Sequence, residues 1–191
     1  MTEALWQYAR DTAQRVRLAL ARAVLNLVDD TTPLQTLQVG LLAEETRGYV
    51  EYFHPYGLTT HPVPGAEVAM LFLAGNRDHP VAVAVADRRS RVTGLKEGEV
   101  CLYSKWLQRL SYDELGQVEL VTAHGQRILL GEGGQVDITT ASGSRVVMDG
   151  AGDVAITAGT VRITGDVEVS GNLNAGGSVI DGAGNTNHHS H

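Results

Sequence analysis

No aromatic side chain occurs beyond Tyr112. That absence excludes a wide globular core from the C-terminal part, because aromatic rings supply much of the buried area in such cores. The single cysteine, Cys101, excludes an intramolecular disulfide framework and reads as a small buried hydrophobe. No apolar run reaches about 18 residues, so no membrane-spanning helix is indicated. Arg10, Asp11, Arg15 and Arg17 interrupt any signal-like apolar stretch near the start, which predicts synthesis and folding in a cytoplasm. The formal charge of -7 argues against a dedicated nucleic-acid binder, which would carry a basic face. No lysine follows Lys105, so the acidic C-terminal part would adhere weakly to anionic lipid.

What remains is patterned. Leu5, Tyr8, Thr12, Val16, Leu20, Val24 and Leu27 recur at three- and four-residue steps, which predicts an amphipathic helix over residues 2–27. Its arginines decorate the other faces and would suit docking onto a partner protein. Asp29–Pro33 ends it. Residues 34–103 read as β: runs at Leu34–Leu42, Tyr49–Phe53, Glu67–Leu73, Pro80–Ala86 and Glu99–Tyr103. Five short strands of this spacing fit a closed OB-type barrel, with an SH3-like barrel as the rival.

From Gln117 onward the chain becomes a series of apolar pairs one residue apart. They are Val118/Leu120, Ile128/Leu130, Val136/Ile138, Val146/Met148, Val154/Ile156, Val161/Ile163 and Val167/Val169. Alternation puts each pair on one face of its strand. First positions step by 10, 8, 10, 8, 7 and 6 residues, which reads as a taper. Of 22 glycines, 15 lie after Tyr112, so tight turning dominates the local demands. Each strand offers only two apolar side chains, roughly 3–6 kcal/mol if fully covered. Ordering its residues costs more than that. The deficit is met if three chains wrap a common axis, each lending one face to a triangular prism. A monomeric solenoid and a disordered tail are the alternatives, the second disfavoured by the regular Val/Ile alternation.

The sequence ends in His188-His189-Ser190-His191. In an extended segment His189 and His191 point to one side. Around a threefold axis three such pairs place six imidazole nitrogens at one point, a set that favours an octahedral metal such as Fe or Ni over tetrahedral Zn. Asp181 would lie near the same axis, where three carboxylates call for a hard cation such as calcium; alone it reads as a turn residue before Gly182.

The helix, the barrel block Leu34–Tyr103, the shortening Val-x-Val repeats and the closing His189-Ser190-His191 carry a family resemblance. The chain resembles the central spikes of contractile-tailed bacteriophages, the baseplate assembly protein V family, and within it the spikes of Mu-type phages. The resemblance implies an all-β fold with an N-terminal helix: helix 1–30, OB-fold barrel 31–110, intertwined triple-stranded β-helix shaft 111–175 and metal-binding apex 176–191. It implies a homotrimer holding one iron ion through His189 and His191 of three chains. Calcium at Asp181 is the candidate second ion. It also implies attachment to a baseplate hub protein at the virion tail tip and passage through the host outer membrane when the sheath contracts.

A spike of this kind needs no catalytic group, since contraction does the work. The alternatives are a receptor-binding adhesin or a cell-envelope-degrading tail enzyme. Neither finds support: there is no catalytic insertion between barrel and shaft, Glu44/Glu45 and Asp113/Glu114 read as loop charges, and His54, His61, His79 and His124 lack a Ser or Cys partner pattern.

Overall fold

The computed structural model describes residues 3, 6–10, 12–13, 19–41 and 45–179. Residues 6–10, 12 and 13 are helical, as the N-terminal periodicity predicts. The helical reading over residues 2–27 fails from Leu20, where β1 (Leu20–Asp29) begins. The reason is local. Leu20, Val24 and Leu27, the residues that gave helical spacing, are exposed, while Ala23 and Leu25 between them are buried. A bulge between Leu25 and Leu27 then breaks the alternation that would have marked a strand.

β1 pairs with β2 (Thr36–Gly40) and with β4 (Glu67–Phe72), β2 pairs with β3 (Thr46–Tyr52), and β4 pairs with β5 (Pro80–Ala86). Parallel pairing of β3 with β5 closes a five-stranded barrel in the order β1-β2-β3-β5-β4. The circuit is OB-like, and closure leaves no free edge. Inward positions alternate along each strand, so Leu25, Leu37, Val39, Val50, Val68, Met70 and Phe72 fill the interior.

The expected fifth barrel strand, Glu99–Tyr103, lies elsewhere; β1 takes its place. Val100–Tyr103 is β6, the first strand of a separate seven-stranded antiparallel sheet. This sheet continues through β7 (Arg109–Tyr112), β8 (Val118–Val121), β9 (Arg127–Leu130), β10 (Val136–Thr139), β11 (Arg145–Met148) and β12 (Val154–Thr157). Every strand pairs with its sequence neighbour, a meander in the order β12-β11-β10-β9-β8-β7-β6.

Six turns join these strands, and they share one design. Residue 104, 113, 122, 131, 140 or 149 opens the turn, and its N–H donates to the carbonyl four residues on, at 2.7–3.2 Å. At Asp113, Thr122, Thr140 and Asp149 the side-chain oxygen also accepts from the fifth residue's N–H. The fourth residue takes positive φ and is glycine in five turns; the sixth has Leu107, at φ 69°. Four strand residues plus five turn residues give a repeat of nine. The 10, 8, 10, 8 stepping of the apolar pairs is therefore this constant repeat rather than a taper. Successive strands run in opposite directions, so the pair falls alternately on the first and second strand positions.

Candidate functional site

The two faces of the meander differ: one carries apolar residues alone, the other mixes Leu129 and Val147 with charged residues. Register places Leu120 opposite Leu110 and Ile128, and Ile138 opposite Ile128 and Val146. Carried across all strands, one apolar row runs Leu102, Leu110, Leu120, Ile128, Ile138, Val146, Ile156. The parallel row runs Val100, Tyr112, Val118, Leu130, Val136, Met148, Val154. The five sequence-predicted pairs from Val118/Leu120 to Val154/Ile156 thus share one face, as alternation demands, whereas Val161/Ile163 and Val167/Val169 lie in no strand. In the single chain this face is largely open: Ile128 is 40% exposed, Ile138 41% and Val154 62%. A contiguous apolar surface of this extent is abnormal for an isolated molecule and marks a contact surface.

The opposite face carries an alternating charge ladder. Glu119 sits between Arg109 at 3.4 Å and Arg127 at 2.5 Å. Arg127 reaches on to Asp137 at 4.0 Å, and Asp137 is held by Arg145 at 2.6 Å. Arg145 donates from both Nε and Nη2, and the Thr139 hydroxyl donates to Asp137 Oδ1. Asp137 is only 4% exposed, so its charge must be met within the sheet. The Arg145 and Thr139 hydrogen bonds hold its carboxyl below the usual carboxylate range, against the effect of burial. Arg127, then Arg109, lowers Glu119 in the same way.

Near β6 the connector after the barrel crosses this face. It leaves a groove of about 320 Å³ lined by Leu95, Cys101, Arg109, Glu119 and Arg127 among others. Both arginines are engaged by Glu119, so the groove presents no unpaired guanidinium. Cys101 is half-buried, less enclosed than its sequence reading. Lys96 pairs with Glu114 and pins the connector to the β7–β8 turn.

None of the histidines within the described residues assembles a reactive site. His54 stacks against Tyr52 at 4.0 Å and meets the Thr60 hydroxyl at 3.1 Å; His61, His79 and His124 are exposed. Glu45 is tied to Arg47 and Arg77, and Asp113 caps its own turn. Among the described residues no cluster of three metal-capable side chains occurs. Asp181, His189 and His191, the residues predicted to hold ions, lie outside the described residues.

Sequence reasoning named the apolar pairs but missed the ladder and the β6 and β7 members of the rows. A partial signal for the strand spacing was present, since Asp113, Thr122, Thr140 and Asp149 are each followed three positions later by Gly.

A barrel of OB type followed by a seven-stranded sheet with one open apolar face defines a two-part all-β protein. Comparison with known proteins adds a particular likeness, confined mainly to the barrel. Residues 22–89, which span the barrel, match the family described as Bacteriophage Mu Gp45, N-terminal. The "Baseplate puncturing device gp45" of Escherichia phage Mu is 46% identical over 90 residues, covering 47% of this chain and 46% of that protein. The "Mu-like prophage FluMu protein gp45" of Haemophilus influenzae is 36% identical over 105 residues, covering 55% of this chain and 57% of that one. The chain spans about half the length of the curated relatives it matches. The resemblance to Mu-type baseplate spikes is supported by these matches, and the phage Mu relative is named a baseplate puncturing device.

Proposed function

We propose that this chain is the central spike of a contractile tail, a homotrimer that punctures the host outer membrane. One observation carries the reading: two unbroken apolar rows lie open along a seven-stranded sheet. Three copies turned with these faces inward would cover the rows and expose the charge ladders to water. The apolar face then becomes the dry core of a triangular shaft. The relationship to a protein named a baseplate puncturing device supports the same role.

In this reading the barrel sits toward a baseplate hub protein at the tail tip, and the C-terminal end leads. His189 and His191 of three chains bind one iron ion. Six imidazole nitrogens suit an octahedral metal and leave no open position for catalysis, so the ion clamps the chain ends where side-chain packing runs out. Asp181 is the candidate for a second, calcium-type ion on the axis. The spike works on the membrane, without nucleic acid, driven by sheath contraction.

Native mass spectrometry of the full-length protein, with elemental analysis, tests the proposal. A trimer carrying one iron supports it; a metal-free monomer overturns it. The double variant His189→Ala, His191→Ala is expected to lose the metal and remain trimeric, because the shaft rows hold the chains together. Dissociation of that variant at micromolar concentration would show that the metal and not the rows makes the trimer.

A further inference from the structure

The six turns of the meander alternate between its two edges. Ser104–Gln108, Thr122–Gln126 and Thr140–Ser144 lie along one edge; Asp113–Gln117, Gly131–Gln135 and Asp149–Asp153 lie along the other. Only the first turn on each edge carries large apolar side chains at its tip. Trp106 is 67% and Leu107 76% exposed on one edge, and Leu115 is 57% exposed on the other. The remaining tips hold Gly, Ala, Ser, His124 and Glu132. Leu107 also stands where the other five turns have glycine, at φ 69°. A left-handed conformation is unfavourable for leucine, and such strain persists where a site uses the side chain it holds in place. In the single chain that side chain is open to water. The charges differ in sign as well. Lys105 precedes Trp106, and its reach is to Asp87, which Arg89 already holds. Glu114 precedes Leu115 and binds Lys96, with Glu99 and Asp113 acting on the same ammonium. Three carboxylates around one ammonium leave that edge acidic.

We propose that these two turns are the halves of one clasp between neighbouring copies: Trp106 and Leu107 of one chain pack on Leu115 of the next, with Lys105 beside Glu114. The proposal rests on the trimeric reading. Around a threefold axis each sheet edge meets the opposite edge of the next copy, a head-to-tail contact that closes after three. Every chain therefore supplies both halves. The two tips differ in height by one strand spacing, about 4.8 Å, which a tryptophan side chain spans. Within one chain they cannot meet, because the four residues of β7 hold them about 13 Å apart. The apolar rows repeat at every rung and so do not select one alignment of the copies. A clasp at a single level, next to the barrel, sets which rung faces which.

Fluorescence of Trp106 tests the burial. The full-length Trp6→Phe protein keeps Trp106 as its single tryptophan. In a trimer, verified on the same sample by native mass spectrometry, its emission is expected to shift to the blue and to resist quenching by acrylamide. A trimer in which Trp106 is quenched like free indole overturns the clasp and leaves the trimeric reading intact; a monomer overturns both. Cross-linking then tests the partner turn. With Cys101→Ser as background, Trp106→Cys together with Leu115→Cys is expected to give covalent trimers on oxidation, since the two positions lie beyond disulfide reach within one chain. Trp106→Cys with Ala151→Cys, on the Leu115 edge but two turns lower, is the control and should stay uncross-linked. A trimer of the first pair that fails to cross-link, or equal cross-linking of both pairs, overturns the assignment to Leu115. A first pair that is a β-rich monomer, while Trp106 is protected in the Trp6→Phe trimer, means that these turns hold the copies together, and the clasp stands.

Discussion

Gly150 lies so close to Gly133 that a Cβ placed on it would stand 1.9 Å from the Gly133 carbonyl oxygen. The contact joins two turns on the same side of the sheet, that between β9 and β10 and that between β11 and β12. The obstacle is backbone, so no side-chain rotation can relieve it. Gly150→Ala is expected to force the turns apart and cost about 1–3 kcal/mol, as other overpacked sites do. Gly48→Ala, where nothing lies within 4 Å, is the control and should change stability by less than about 0.5 kcal/mol. Thermal melts of the two variants decide it; equal effects would mean that the turn contact is not built as described.

Asp137→Ala should destabilise the sheet, and the effect should depend on pH. Its folded carboxyl titrates below the ordinary value of 3.8 because Arg145 and Thr139 bind the charged form. A depressed pKa contributes stability that is complete above the unfolded value and is lost as pH falls through the folded one. The gap in melting temperature between wild type and variant is thus expected to be full at pH 7 and to narrow below about pH 4. A gap that stays constant down to pH 2 would assign the loss to packing rather than to the charge.

Ile138→Asp tests the apolar face. Ile138 is the fifth of the seven residues in its row, opposite Ile128 and Val146. In one chain its side chain already touches water, so a carboxylate there costs the monomer little. In a closed trimer the same carboxylate would be buried unpaired. The expected result is a β-rich monomer by circular dichroism and native mass spectrometry; Val154→Asp and Ile156→Asp should act alike. A normal trimer would mean that the other face points inward.

Removing residues 1–18 should leave the barrel intact, because among the described residues the first backbone hydrogen bond to the barrel is the Ala19 carbonyl accepting from the Phe72 N–H at 2.9 Å. Removing residues 1–27 should abolish folding. That deletion takes Ala23 and Leu25 from the core and strips β4 of a partner. Cooperative melting of the shorter-tailed chain, absent from the other, is the readout.

The legible parts of the sequence were those where a side-chain period and a backbone period coincide. Val136/Ile138 and its counterparts announce a strand face without any knowledge of partners, and β4 and β5 show the same clarity. β1 was hidden because Leu20, Val24 and Leu27 point outward and a bulge shifts its phase. The nine-residue repeat was hidden by its oddness, since reversal of strand direction splits it into steps of ten and eight. The ladder of Glu119, Arg127 and Asp137 could not be read, because ion pairs across strands are set by register. The histidine pair follows another logic: its chemistry is readable from residue type, but its meaning depends on how many chains meet.

The ladder also gives the sheet a resistance to sideways slip. Glu119, Arg127 and Asp137 each hold an oppositely charged group on both flanking strands. Sliding one strand past its neighbours would break two such links together, whereas apolar rows alone tolerate sliding because greasy contacts lack direction. Isolated surface ion pairs contribute little to stability, but a continuous series couples successive strands. A load along the stack of strands is therefore carried by β7 to β11 as one elastic plate, and its stiffness should soften with added salt.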